Sequence, residues 1–267
     1  MCPNITGGFD IAVLTYKNTG EAMTHKASSF TEMPKKGRLF LISNEATNKY
    51  TSTTKREVVG TFLKPNRTIN RKKIIFEKTF THNGKTYSVN TEKSGLYLEI
   101  MKAIVEQFEI AVSKWRRVFV LRFDLHSHIH THDNKQMTLF RKRLFQKLKR
   151  VYGFNDIGFC WVREQERAKA QHYHWVLFLA GDLIRHSTRI NAIIKETWED
   201  QRGNNTMPTI GHPYYFVDND QVAQEAVYRV SYLAKPRGKG YRGKQVKDFQ
   251  CSRMKWGGVV KSSWINQ

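Results

Sequence analysis

Apolar positions fall into a clear series from residue 94 onward. Leu96, Ile100, Ile104, Phe108, Val112 and Trp115 recur every three to four residues, which predicts an amphipathic helix over 95–115. Arg117–Leu125 then reads as a strand with a buried middle. Met137, Phe140, Leu144, Leu148 and Val151 mark a helix over 135–151. Ile157–Glu164 and His172–Leu179 read as two more strands, with a short polar connection between them. Ile190, Ile193, Ile194 and Trp198 predict a helix over 187–200, and Tyr214–Val217 a fourth short strand. A last helix runs from Asp220 to Ala234, and Pro236 ends it. From 117 to 217 the order is strand, helix, strand, strand, helix, strand. That order predicts an α+β fold: a ferredoxin-like antiparallel sheet with helices on one side. Such a fold hosts many functions, so the site must decide.

Residues 1–92 are polar, rich in Thr, Asn and Lys, with few organised apolar segments. One local signal interrupts them. Lys73–Phe80 and Lys85–Val89 flank Asn83-Gly84, the dipeptide most typical of a tight hairpin. The region reads as a partly ordered basic appendage before a domain over 93–258.

Charge adds a partner to this picture. The chain of 267 residues carries 45 basic against 23 acidic residues, a formal charge of +22. Such an excess predicts an extended anionic partner, nucleic acid ahead of an anionic membrane. No apolar run approaches the ~18–20 residues that span a bilayer. Met1–Gly8 lacks the basic and apolar regions of a secretory signal. Cys2, Cys160 and Cys251 are widely separated; they suggest neither a disulfide framework nor a cysteine zinc site, and fit a reducing cytoplasm. Lys142, Lys149 and Arg150 on the 135–151 helix, with Arg237, Lys239, Arg242 and Lys244 in the basic tail, are candidate phosphate contacts. Tyr241 and Trp256 could stack unpaired bases.

The candidate chemistry starts at His172-Tyr173-His174. Alternation along a strand points both imidazoles to one face, and the apolar run Val176–Leu179 anchors them. Two imidazoles make half of a metal site. Glu164, at the end of the preceding strand, is the leading third ligand, with Glu166 in the connection as runner-up. On the last helix Val222, Ala226, Val230 and Leu233 form one stripe, while Tyr228, Tyr232 and Lys235 lie on the opposite side. A tyrosine hydroxyl is a poor nucleophile at neutral pH. Beside a metal-polarised phosphodiester it can attack phosphorus and leave a covalent phosphotyrosine. Lys235 could stabilise charge on the phosphate.

These residues resemble the HUH endonuclease superfamily of rolling-circle replication initiators and relaxases. Glu164, His172-Tyr173-His174 and Tyr228-x-x-x-Tyr232-x-x-Lys235 carry the likeness. More narrowly, residues 95–255 are similar to the replication-protein-like family of filamentous phages (inoviruses) and prophage elements, through Tyr228–Lys235 and Phe249–Arg253. The resemblance implies an HUH-type endonuclease and strand transferase that uses Mg2+ or Mn2+. It would nick single-stranded DNA at an origin in the cytoplasm of a bacterial host, with a host helicase as a candidate partner. It implies His172 and His174 as metal ligands, Tyr232 as nucleophile and Tyr228 as the second tyrosine of two-tyrosine initiators. The usual glycine between the acidic residue and the histidines is replaced by Ala168-Lys169-Ala170.

His126-Ser127-His128-Ile129-His130-Thr131-His132 is a rival cluster. It precedes Asp133-Asn134, a turn or helix cap, and lacks an apolar anchor. It reads as a solvated loop that could supply a stray ligand. The alternative function is a non-catalytic DNA- or RNA-binding regulator that keeps the fold, for which charge and sheet suffice.

Overall fold

The computed structural model describes residues 73–165, 170–240 and 246–257, and the backbone of two short strands, β1 (Leu14–Tyr16) and β2 (Ala22–Thr24). These two pair antiparallel within a unit of their own, Met1–Gly60. The second unit, Thr61–Gln267, holds every other element. The predicted hairpin, although it precedes residue 93, lies in this second unit. Among the candidates above, Glu166, Tyr241, Arg242 and Lys244, and Ala168-Lys169 of the connection, lie outside the described residues.

Packing ties this hairpin to the helices that follow it. β4 (Thr79–His82) and β5 (Lys85–Ser88) are joined through Asn83 and Gly84, both at positive φ (48° and 78°), as a primed two-residue turn requires. Phe80, Tyr87 and Val89 are buried in the same core as the first helix. Glu109 of that helix accepts hydrogen bonds from Asn83 Nδ2 (2.8 Å) and the Tyr87 hydroxyl (3.2 Å), and its carboxylate pairs with His82 Nδ1 (2.8 Å). The hairpin is thus part of the folded body. β3 (Ile74–Ile75) pairs with β6 (Leu96–Tyr97), which leads directly into α1 (Leu98–Lys114).

β7 (Val118–His126), β8 (Gly158–Glu164), β9 (His172–Ala180), β10 (Tyr214–Val217) and β11 (Phe249–Cys251) form one antiparallel sheet in the order β10-β7-β9-β8-β11. α2 (Lys135–Tyr152) connects β7 to β8 and α3 (Thr188–Glu199) connects β9 to β10. Each connection passes over one intervening strand. The strands read as unbroken apolar runs because both faces of the sheet are covered. Phe119, Leu121, Phe123, Trp161, Tyr173 and Trp175 face α2 and α3. Val118, Val120, Val162, Val176 and Phe178 face α1 and α4 (Asp220–Val230).

Two expectations need correction. Helices were expected on one side; α2 and α3 do share a face, but α1 and α4 cover the other. Periodicity shows that a helix has an apolar stripe, not which face of a sheet receives it. The cysteines were expected to stay unpaired, yet Cys160 and Cys251 form a disulfide (S–S 2.08 Å). They are opposite one another in the β8–β11 register. The tail gave no strand signal strong enough to predict β11, so nothing in the pattern brought these two residues together.

Candidate functional site

At one end of the α1/α4 face of the sheet, polar residues replace apolar ones. On β7 the alternation that begins Val118, Val120 continues as Arg122, Asp124 and His126 on that same face. On β8 it ends at Glu164, and β9 opens with His172 and His174. The register sets His172 between His126 and Glu164, and His174 between Asp124 and Val162. Three strands therefore deliver six chemistry-bearing side chains to one place.

His174 is the hub. Its Nδ1 lies 2.7 Å from Asp124 Oδ1 and its Nε2 3.1 Å from Glu164 Oε2. Burial opposes a charged imidazole, but hydrogen bonds to Asp124 and Glu164 outweigh it and raise the pKa to about 8. The two carboxylates therefore favour the protonated ring in the metal-free protein, with an N–H facing each of them. Burial would raise the Glu164 pKa, yet His174 and Lys239 overcome it and hold that carboxyl at about 2. Asp124 is likewise held below its usual range against burial, chiefly by its hydrogen bond to His174. His172 stacks on His126, with ring centroids 4.1 Å apart. Burial lowers both their pKa values, and each ring is held lower still by neighbouring imidazoles.

The tyrosine arrives from the other direction in the chain. α4 ends at Val230 and tightens into a 3-10 turn over Ser231–Ala234. Val230, Leu233 and Ala234 are buried, and this turns Tyr232 toward the sheet edge. Its ring meets His174 edge-on at 5.7 Å. The Arg122 guanidinium covers the same ring at 4.6 Å, and Lys235 Nζ lies 5.8 Å from its centroid. Burial raises the Tyr232 pKa and Glu164 adds to the rise, while Arg122 opposes it. Tyr228, one turn earlier, is exposed to solvent. Lys235 Nζ also donates to the Glu92 carbonyl (2.8 Å).

The structure thus gathers Glu164, His174 and Tyr232, with His172 in adjacent register and Lys235 alongside. Arg237 is exposed on the same segment as Tyr232. Lys142, Lys149 and Arg150 are exposed on α2, which covers the opposite face, so the sheet separates them from His174. Lys239, expected among the phosphate contacts at the surface, is fully buried instead, its Nζ donating to Glu164 Oε1 at 2.6 Å. A charge run in a tail does not reveal which lysine the fold turns inward. The rival histidines divide: His126 ends β7 beside His172, His128 is exposed, and His130 meets Gln165 (3.1 Å) and the ring of His132 (4.8 Å).

Pattern reading missed Asp124 and Arg122. A signal existed: three polar residues at alternate positions, Arg122, Asp124 and His126, on an otherwise apolar strand. The donors suit a divalent cation. A histidine whose Nδ1 rests on a carboxylate has the outer-shell support typical of metal-bound imidazole, and Glu164 is ionised. Among the described residues these donors are not already drawn together as a ligand set; Glu164 and His174 bond one another instead.

The molecule is therefore a mixed α+β protein with a histidine–carboxylate–tyrosine site on one end of an antiparallel sheet. Residues 77–207 match the family model described as the YagK/YfjJ C-terminal domain. The matched span contains Asp124, Glu164, His172 and His174, and ends before α4 and Tyr232. Neither a curated protein nor a solved structure matches the chain.

Proposed function

We propose that this protein is a rolling-circle replication initiator of the HUH endonuclease type, which nicks and rejoins single-stranded DNA through Tyr232. The observation that carries the reading is the contact between Tyr232 and His174, two residues from motifs 58 positions apart, with Glu164 on the far nitrogen of the same imidazole. The strand order, with each helical connection skipping one strand, supports a ferredoxin-like sheet of that type.

In this reading Tyr232 Oη attacks a phosphodiester phosphorus. The new O–P bond forms as the P–O3′ bond breaks, the phenolic proton leaves, and the released 3′ oxygen takes up a proton. The 5′ phosphate stays on the tyrosine until a 3′ hydroxyl reverses the reaction. A phenol held above its ordinary pKa needs positive charge nearby, and Arg122 and Lys235 supply it at the ring. Glu164, His172 and His174 would hold Mg2+ or Mn2+, which when bound polarises the phosphate. Asp124 orients His174 through Nδ1. The excess of basic residues holds the backbone of the strand.

Incubation with a 3′-labelled pool of random single-stranded DNA and Mn2+ should transfer label to the protein on a denaturing gel. Tyr232→Phe should abolish the adduct, and Tyr228→Phe should leave it if one tyrosine suffices. Wild-type protein that forms no adduct overturns the proposal and leaves the regulator reading, in which DNA binds without chemistry.

A further inference from the structure

Lys239 is the only lysine that is fully buried among the described residues. A buried ammonium costs several kcal/mol unless it is paired and hydrogen-bonded. Here Nζ donates to Glu164 Oε1 (2.6 Å) and to the Lys235 carbonyl (2.5 Å). The backbone is built to bring it there. Gly238 and Gly240 flank it at φ of 71° and 90°, a region that L side chains avoid. A Cβ on Gly238 would stand 3.1 Å from Glu164 Cβ. The Gly238 carbonyl accepts from Gln165 N–H (2.7 Å), and Gly240 N–H donates to Asp248 Oδ1 (3.3 Å). The chain that has just carried Tyr232 past His174 therefore closes against the end of β8 and inserts a cation beneath its carboxylate.

We propose that Lys239 is a positioning residue for Glu164: an internal counter-ion that holds Oε1 so that Oε2 faces His174, and that keeps divalent-cation binding weak. Lysine suits the role, because its compact ammonium bonds one oxygen and leaves the other available. Its positive charge offsets the attraction of Glu164 for an incoming cation. By joining the tyrosine segment to the acidic residue, it also ties the nucleophile's position to that of the donors. The cation part of this inference rests on the metal-dependent reading above; the Lys239–Glu164 pairing does not.

Two measurements on the full chain test it. The first is a double-mutant cycle in thermal stability without metal or DNA. Glu164→Gln should lower Tm by about 10 °C, because the fully buried Lys239 ammonium loses its counter-ion; Lys239→Met should lower it by less, because Glu164 keeps His174 as a partner. The double variant should recover most of the loss. Additive losses overturn the pairing. The second is calorimetric titration with Mn2+. Lys239→Met should bind Mn2+ about tenfold more tightly than wild type, and should gain more thermal stability from added Mn2+. Equal or weaker binding overturns the counter-ion role. If neither protein binds Mn2+, the metal reading of the site falls, and the cycle decides on Lys239 by itself. Should Lys239→Met fail to fold, Gly238→Ala, which presses on Glu164 while keeping the lysine, replaces it in a cycle with Glu164→Gln: its loss in Tm should be smaller once the Glu164 charge is gone, and equal losses in both backgrounds overturn the pairing.

Discussion

His174 joins two carboxylates, and this sets how the metal-free protein responds to pH. Its pKa is about 8 in the folded state, above the ordinary histidine value of about 6.5. Stability from this group is therefore fully present below about pH 6.5 and lost as pH rises through 8. Glu164, at about 2 when folded, works in the opposite sense. Its contribution is present above its ordinary range near 4.5 and lost as pH falls toward 2. The two overlap between about pH 4.5 and 6.5. Denaturant titrations of metal-free protein should find a plateau there, and a loss of about 2 kcal/mol from His174 by pH 9. His174→Gln should remove the alkaline limb; an unchanged limb would show that another group titrates. At the same scale, Asp124 shows what a linear reading overlooks. The alternation of Arg122, Asp124 and His126 marks a polar end to the strand, but the partner of Asp124 is set only by the β7–β9 register that puts it opposite His174.

At the scale of elements, the instructive case is the turn that carries Tyr232. Spacing alone suggests one helix through Ala234, with Tyr228 and Tyr232 as neighbours. The α-helix instead ends at Val230 and continues as a 3-10 turn, which changes the angle between successive side chains. Ser231, fully buried, marks the transition. Its hydroxyl donates to the Tyr228 carbonyl (2.7 Å) and accepts from Asn90 N–H (3.0 Å). The segment after the β4–β5 hairpin is thereby bonded to the residue beside the candidate nucleophile. Ser231→Ala leaves the Asn90 N–H without that acceptor and should cost about 1–3 kcal/mol. Differential scanning calorimetry would read this as a fall in Tm of several degrees, whereas Ser231→Thr retains the hydroxyl. If the hydrogen bond also sets the turn, adduct formation by Ser231→Ala should fall more than its stability loss explains.

At the scale of the whole molecule, charge and architecture are separate matters. The net charge of +22 predicts steeply salt-dependent binding to single strands, with log affinity falling by about 0.7 per phosphate contact for each unit of log salt. Lys142, Lys149 and Arg150 lie across the sheet from the site, so under the proposed function they contact the bound strand only if it wraps around the domain. Replacing all three with Ala should flatten the salt slope by about two if each meets a phosphate. An unchanged slope removes α2 from the interface. No helix among the described residues is long and apolar enough to cross a membrane.

The succession of strands and helices from 95 to 234 was legible in the chain because burial imposes periods of 2 and 3.6 on apolar positions, whatever the surroundings. The Asn83-Gly84 turn was legible because its positive φ angles demand those residue types. Glu164, His172, His174 and Tyr232 stood out as residue types at suggestive spacings. Other features belong to distances that no local pattern encodes. The second helical layer, the β11 edge strand and its disulfide, Asp124 behind His174 and Lys239 beneath Glu164 all depend on pairings between distant segments. A buried lysine and a surface lysine read alike in a basic tail. Only the folded chain decides which one loses its water, because desolvation is a property of the surroundings and not of the residue.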